Sequence, residues 1–306
     1  MTVILAAAAG LTLTALAAWC TTGSHARRAV GVILGVAVLL PPWLLPERPF
    51  LFRAIWAIAA FTTTMRVVDL ARTEWPLRRR VAHVLSVVDS RRLVRTSPRF
   101  DVRAFARLMA WALMIAASVA ALAIAPADHR AIPHVARWSA GVVLVYAAVS
   151  TIYDLLTLGY AATGFDTPPL HVAPIFARSV QELWGERWAR PINEWLRETF
   201  FRPFARRRQP LVGLLLAFVV SAAFHAYAVW VGLGLVRGLT MAACMFAYFV
   251  AQTAVMLLER ALHVARWPAR GYAWAAHTWT FAWMLALAPL FIEPLVRVLD
   301  IARLPG

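Results

Sequence analysis

The chain has 306 residues, of which 61% are hydrophobic and only 15% are charged, well below the roughly 25% that is usual in soluble domains. Its net charge is +16, and every basic residue apart from the eight histidines is an arginine. Because these arginines lie between long apolar runs, they indicate the cytoplasmic loops of a membrane protein and not a nucleic-acid-binding surface. The composition therefore excludes an ordinary soluble domain and predicts an all-α integral membrane protein.

Eight apolar runs are candidates for membrane-spanning helices, which take about 20 residues, and the second of them is short. In chain order they are Val3–Trp19, Val30–Leu45, Phe50–Leu70, Phe105–Ala125, Ser139–Tyr160, Leu211–Val236, Leu239–Leu258 and Tyr272–Ile292. The first run lacks the basic residues that begin a signal peptide and is longer than a usual signal core, so we interpret it as a membrane helix. We expect a single membrane domain over 1–306, with N-terminal helices in 1–160, a second region in 161–306 and a central membrane-embedded cavity.

The arginines predict the orientation of the chain in the membrane. If the N-terminus lies outside, 23 arginines fall in cytoplasmic loops, seven fall outside and Arg66 lies within a span. Such a bias follows the positive-inside rule, so both termini are expected to face away from the cytoplasm. Two of the basic loops, 71–104 and 161–209, also carry regularly spaced apolar residues, which is typical of amphipathic helices at the membrane interface.

The second long loop contains an unusual string, Trp184–Trp188, which reads Trp-Gly-Glu-Arg-Trp. Apolar residues recur around it at three- and four-residue spacing, which predicts one apolar helical face. Those residues are Val180, Leu183, Trp184, Trp188, Ile192, Trp195, Leu196 and Thr199. Pro191 interrupts this pattern, and it is expected to end or kink the helix or to stand in the first turn of a new one.

A histidine, His225, lies within the apolar run Leu211–Val236, four residues after Ser221. It is the only ionisable residue deep in that run. An imidazole at bilayer depth costs free energy unless it meets a partner or a wet cavity, so it is a candidate functional group. Packing against a neighbouring helix is the structural alternative.

Together these strings resemble the signature of the wax synthases, which belong to the membrane-bound O-acyltransferase superfamily. The shared features are Trp184–Trp188 with the downstream Pro191, Trp195–Arg197, Phe201–Pro203 and Ser221 with His225. The C-terminal string Pro289–Pro294 is similar to that of bacterial members, which implies a multi-pass protein of the bacterial inner membrane. The chain departs from the family at Ala189, where Asn or His is usual, and at Ala226, where Glu often follows the histidine.

The resemblance implies transfer of a fatty acyl group from acyl-CoA, as co-substrate, to a hydroxyl acceptor. The acceptor is a long-chain alcohol or another lipid or metabolite alcohol, such as a sterol, a diacylglycerol or a secondary metabolite. His225 is then the general base, since a neutral imidazole accepts a proton near neutral pH. Asn193, four residues after Ala189, is expected to supply the missing amide as an accessory catalytic group. Ser221 would fix the tautomer of the imidazole. The substrate-binding candidates are Trp184, Arg187, Trp188, Arg190 and Ser221.

Each of these assignments has a structural alternative. Asn193 can serve as a surface or capping amide, the tryptophans as interfacial anchors, and Arg187 and Arg190 as topology signals without a ligand. Neither Cys20 nor Cys244 has a nearby His or Cys, so neither a disulfide framework nor a zinc site is expected. No other metal and no resident cofactor is expected. The expected partners are acyl-CoA, the acceptor and membrane lipids, without nucleic acid. The functional alternative is a non-catalytic transporter or scaffold.

Polar residues inside the other spans are expected to fix helix packing. Arg66 and Asp69 are three residues apart and can pair on one helical face. Asp154 and Gln252 are expected to pair with other helices, and His277 is a second, weaker candidate for the cavity.

Overall fold

The computed structural model describes residues 1–124 and 131–299, and the side chains of residue 124 and of residues 131–134 are not described. Its α-helices are α1 (Thr2–Cys20), α2 (His25–Ala37), α3 (Phe50–Leu70), α4 (Leu77–Leu85), α5 (Val102–Ile124), α6 (Ala131–Ala162), α7 (Val180–Glu182), α8 (Arg190–Leu196), α9 (Arg202–Arg206), α10 (Pro210–Leu233), α11 (Leu235–Ala261) and α12 (Ala273–Leu299). Two short strands, β1 (Val94–Arg95) and β2 (Phe165–Asp166), pair in antiparallel fashion.

The prediction of an all-α membrane protein with eight spans is confirmed. In the described part of the chain, eight helices are long and apolar enough to cross a membrane. The second of these spans, His25–Leu44, joins α2 to a 3-10 helix at Pro41–Leu44. The two prolines at 41 and 42 explain why the α-helix does not continue, because proline cannot donate the backbone hydrogen bond of an α-helix. The end of the predicted fourth span at Ala125, together with Arg130 and Arg303, lies outside the described residues.

The chain divides into two compact units. One comprises residues 1–93 and 224–242, and the other comprises residues 94–223 together with the chain from residue 243 onward. The boundary therefore passes through α10, between Ala223 and Phe224, and through α11. The expectation of a single domain divided at residue 160 remains a prediction.

A buried ion-pair network holds the first unit together beyond the end of α3. Asp69 and Asp89 both accept from Arg91 Nη2, at 2.9 and 2.7 Å. Arg66 Nη1 lies 3.8 Å from Asp69 Oδ2, which confirms the predicted pair, and 3.9 Å from Asp89 Oδ2. Burial acts to raise the pKa of Asp89, but hydrogen bonds and charge from Arg91 and the charge of Arg66 lower it to about 2. Asp89 is therefore ionised near neutral pH.

The same network includes a potential metal-ligand set. One ligand atom from each of Asp69, His83 and Asp89 lies within 4.8 Å of the others, and all three residues are buried. However, Arg91 already donates to both carboxylates. Arg92 Nε also lies 3.6 Å from Asp89 Oδ2, so three arginines offset the two carboxylate charges. We therefore interpret this cluster as a structural link between α3, α4 and residues 86–93.

The second unit contains the antiparallel pair α5 and α6, which is joined by a buried carboxylate. Asp154 of α6 accepts from Arg107 Nη2 at 2.6 Å and from Trp111 Nε1 at 2.8 Å, both on α5. The prediction that Asp154 pairs with another helix is thus confirmed. Just beyond this pair, β1 and β2 match Val94 with Asp166. This pairing joins the chain that leads into α5 to the chain that leaves α6.

Helix α12 packs on α6 at the string Pro289–Pro294. Glu293 accepts from Arg137 Nε at 3.2 Å and from Trp138 Nε1 at 3.3 Å. Gly141 of α6 faces Ile292, and a Cβ at that glycine would lie 2.3 Å from Ile292 Cγ2. The close approach of the two helices therefore requires glycine at 141. In this structure the string serves helix packing.

The two long loops contain less regular helix than their apolar periodicity predicts. In residues 71–104, α4 is short, and residues 86–101 form no helix, because the Arg91 network and the pairing of β1 fix a different path. In residues 161–209, the expected amphipathic helix is divided into α7, α8 and α9 with intervening π-turns. The apolar face is nevertheless present, since Val180, Leu183, Trp195 and Thr199 are buried.

Candidate active site

The string Trp184–Trp188, here called the signature string, begins in a π-turn and not in an α-helix. Residues Leu183–Arg187 form this turn, which the Trp188 N–H closes by donating to the Leu183 carbonyl at 2.8 Å. A π-turn adds one residue to a helical turn and shifts the direction of the side chains, and such turns are frequent at functional sites. Trp188 follows in an extended conformation, so the two signature tryptophans do not share one helical face.

Ala189 interrupts the helix with a left-handed backbone, at φ 41° and ψ 46°. Helix α8 then begins at Arg190, with Pro191 in its first turn, as one of the two sequence alternatives predicts. Asn193 therefore does not continue a helix that contains Ala189, and it cannot replace a side chain there by simple helical spacing. Instead, Asn193 Nδ2 donates to the Gly185 carbonyl and links α8 to the π-turn.

The arginine of the signature string is used in local structure. Arg187 Nε donates to Glu182 Oε1 at 2.7 Å, and its Nη1 donates to the carbonyls of Val172 and Ala173, both at 3.1 Å. Glu182 is in turn fixed at the start of α7, because its N–H donates to Ser179 Oγ at 2.9 Å. The Arg190 side chain is more exposed, at 38%, and its guanidinium lies 3.7 Å from Glu194 Oε1.

The first signature tryptophan connects the string to a spanning helix. Trp184 Nε1 donates to Gln252 Oε1 of α11 at 3.3 Å. Gln252 was expected to pair with another helix, and its partner Trp184 lies in the π-turn of the signature string. Gln252 is fully buried, and its Nε2 has no hydrogen-bond partner among the described residues. Tyr248 and Phe249 pack beside Trp184, with ring centroids at 6.3 and 5.7 Å.

A buried carboxylate fixes the segment that leads into the signature string. Glu259, near the end of α11, accepts from the N–H groups of Val180 at 2.6 Å and Gln181 at 3.0 Å. It also accepts from Trp279 Nε1 of α12 at 3.1 Å. Val180 packs with Val255 and Met256 in the core beneath. Glu259 therefore joins α7, α11 and α12 at one point.

The second signature tryptophan stacks on a histidine from earlier in the loop. The ring centroids of His171 and Trp188 are 4.3 Å apart, with an interplanar angle of 35°. The His171 Nδ1 accepts a hydrogen bond from the Ala189 N–H at 3.1 Å. Burial lowers the pKa of His171 to about 4, so the imidazole is neutral near neutral pH.

His225 lies in the part of α10 that belongs to the first unit. It is 15 residues after Pro210 and eight before Leu233, which puts it about 22 Å and about 12 Å from the two ends of the helix. The side chain is half-buried, and its ring centroid is 4.8 Å from that of Phe224. Phe224 packs on Phe61 of α3 at 4.1 Å. Ser221 precedes His225 by one helical turn and is also half-buried.

The predicted site residues thus lie in both compact units. Trp184, Arg187, Trp188, Arg190 and Asn193 lie together in the second unit, around the π-turn and the start of α8. His225 belongs to the first unit. Sequence reasoning missed His171 and Glu259. Glu259 had a usable signal, since it is an acidic residue at the end of an otherwise apolar run.

One family model matches a part of the chain that includes both the signature string and His225. Residues 167–250 match the model of the membrane bound O-acyl transferase family. The matched range contains the signature string, His171, Asn193 and His225. It covers less than half of the chain, and it supports membership of this family and membrane O-acyltransferase activity in general. No curated protein is significantly similar in sequence to the chain.

Proposed function

We propose that the chain transfers a fatty acyl group from acyl-CoA to a hydroxyl acceptor, with a long-chain alcohol as the first candidate acceptor and a wax ester as the product. The family match over residues 167–250 carries this proposal, because it contains both His225 and the signature string. The eight apolar spans support it further, since both the acyl chain and a long-chain alcohol are membrane-soluble.

In the proposed reaction, His225 acts as the general base. As the alcohol oxygen attacks the thioester carbonyl, the imidazole takes the hydroxyl proton, a C–O bond forms and the C–S bond breaks. The coenzyme A thiolate leaves and is protonated, so no covalent acyl-enzyme is needed. Ser221 is proposed to fix the tautomer of His225, as an i, i+4 neighbour on the same helix.

The proposed roles in substrate binding follow the contacts of each side chain. Trp184 and Trp188 provide aromatic surface beside the lipid, and Arg190 is the better candidate for a phosphate of coenzyme A. Arg187 is held by Glu182 and by two carbonyls, which supports a structural role with at most a secondary contact to substrate. Asn193 is an accessory polar group that acts by holding α8 against the π-turn.

Lipid analysis of cells that express the chain tests this function. Cells fed with a long-chain alcohol should accumulate the corresponding ester, and cells that express the His225→Ala variant should not. Accumulation of unesterified lipid without any new ester would favour the transporter alternative.

Asn193→Ala should lower turnover by about tenfold, because it removes one hydrogen bond that positions the signature string. Steady-state kinetics of purified protein would measure this effect. Glu198→Ala is a matched control, since Glu198 lies in the next turn and pairs with Arg202 at 3.7 Å near the surface. Equal turnover in Asn193→Ala and the control would show that the amide has no role in the site.

We also propose that loops 71–104 and 161–209 face the cytoplasm, where acyl-CoA is found. The 23-to-7 distribution of arginines supports this orientation. Single cysteines introduced after Arg92 and after Arg206, in a background without Cys20 and Cys244, should resist a membrane-impermeant thiol reagent in intact cells and react in inverted vesicles. Labelling of both positions in intact cells would show that the two loops face away from the cytoplasm, and it would exclude cytosolic acyl-CoA as the donor.

A further inference from the structure

His171 is held at the signature string by pairing of the two backbone segments. The Val172 N–H donates to the Arg187 carbonyl at 2.8 Å, and the Arg190 N–H donates to the Leu170 carbonyl at 2.9 Å. Residue 171 is therefore fixed opposite residues 188 and 189. Both segments belong to the second unit.

The hydrogen bond from Ala189 determines which ring nitrogen of His171 carries the proton. A backbone N–H can only donate, so Nδ1 must be the acceptor at 3.1 Å. In the neutral imidazole the proton then lies on Nε2. His171 is consequently a hydrogen-bond donor at Nε2, and in this tautomer it cannot act there as a base.

The Nε2 of His171 is buried and has no hydrogen-bond partner among the residues that the structure describes. Leaving a buried donor unpaired is unfavourable, so the position selects for an oxygen acceptor. The surroundings are aromatic: the Trp188 ring lies 4.3 Å from the imidazole and the Tyr146 ring lies 5.4 Å from it, centroid to centroid. These aromatic rings, together with one hydrogen-bond donor, suit a ligand with an apolar body and a single polar oxygen.

We propose that His171 is a substrate-binding residue that donates a hydrogen bond from Nε2 to an oxygen of a lipid ligand. The oxygen is either the carbonyl of the acyl thioester or the hydroxyl of the acceptor, and the choice of these two ligands rests on the proposed function. This role of His171 also accounts for Ala189. At the position where the resemblance leads one to expect Asn or His, this chain has a side chain without polar atoms, and the backbone N–H of that residue holds an imidazole from a neighbouring segment.

Equilibrium binding of radiolabelled palmitoyl-CoA and, separately, hexadecanol to purified protein in nanodiscs tests this assignment without requiring turnover. His171→Phe keeps an aromatic ring beside Trp188 but removes both nitrogens, and it should weaken the binding of one ligand by about three- to tenfold. His171→Gln should lose less, because an amide can both accept from Ala189 and donate. The ligand that loses affinity identifies which oxygen is bound.

A rescue variant distinguishes donation from packing. Ala189→Asn, combined with His171→Phe, should recover part of the affinity, because Asn tolerates the left-handed backbone at 189 and provides an amide donor at that place. His25→Phe is the matched control, since His25 is exposed at the start of α2, and it should bind both ligands normally.

Wild-type affinity of His171→Phe for both ligands would overturn the inference, as would an equal loss for both ligands that Ala189→Asn does not restore. If the wild-type protein binds a ligand and His171→Phe binds it more weakly, but no ester forms, the role of His171 in binding stands and the proposed function fails. If the wild-type protein binds neither ligand, both fail.

Discussion

Replacing His225 with Ala or Gln should lower acyl transfer by about 100- to 10,000-fold, the range that general-base catalysis contributes. Gln is the more informative change, because its amide keeps hydrogen-bonding atoms but cannot accept a proton near neutral pH. His225 lies well inside α10 and is half-buried beside Phe224, so the protein should still fold when it is replaced. Turnover of purified protein with palmitoyl-CoA and hexadecanol measures the effect.

Two controls separate catalysis from folding in that experiment. His25→Gln changes an exposed histidine at the start of α2 and should leave turnover unchanged. The unfolding temperature of each variant should remain near that of the wild-type protein. If His225→Gln retains near-wild-type turnover, His225 is a packing residue and the base must be sought elsewhere.

Glu259→Ala should produce the largest loss of stability that we expect from a single substitution in the second unit. It leaves the N–H groups of Val180, Gln181 and Trp279 without their acceptor. The bond from Val180 is fully buried, and an unsatisfied buried group costs about 1–3 kcal/mol. We expect a fall in the unfolding temperature of roughly 5 °C or more, since about 2–4 °C corresponds to each kcal/mol in proteins of 150–250 residues. Thermal unfolding in detergent, followed by intrinsic fluorescence, would measure it.

The matched control for this loss is Glu74→Ala. Glu74 is exposed and pairs with Arg28 at 2.7 Å, and such surface pairs contribute only about 0–1 kcal/mol. Glu259→Gln should fall between wild type and Glu259→Ala, because its single amide oxygen can accept from only some of the three donors. If the two alanine variants unfold at the same temperature, Glu259 does not join α7, α11 and α12 as the contacts indicate.

The membrane architecture was predictable because it depends on a property that sequence displays directly, the length of apolar runs. Phe50–Leu70 coincides with α3, and the other spans differ from their helices mostly at the ends. The pair of Arg66 and Asp69 was also predictable, since it depends on local spacing within one helix. Asp89 and Arg91, which complete that network, come from a neighbouring loop that periodicity does not describe.

The backbone of the signature string was not predictable from apolar spacing. A pattern with a period near 3.6 assumes i to i−4 hydrogen bonds, whereas Leu183–Arg187 uses a π-turn. Ala189 adopts a left-handed conformation, although alanine has no intrinsic preference for it. These two features break the continuous helix that would have aligned Ala189 with Asn193.

The residues that contact the signature string could not be predicted for a different reason, since they are distant in sequence. Glu259 lies 79 residues beyond Val180, and Gln252 lies 68 residues beyond Trp184, so tertiary structure alone brings them together. His171 precedes Ala189 by 18 residues in a proline-rich segment without periodicity. The residue type at 189 gave no signal for this contact, because Ala189 has no polar side chain and binds His171 through its backbone N–H.

We propose that this chain joins a fatty acyl group to an alcohol. The most direct measurement is an assay of purified protein in nanodiscs with acyl-labelled palmitoyl-CoA and hexadecanol, in which labelled ester and free coenzyme A thiol are both quantified. We predict that ester and thiol appear in equal amounts, and that both are lost in His225→Gln. Release of thiol without ester, or the absence of either product across long-chain alcohols, sterols and diacylglycerols, would contradict the claim.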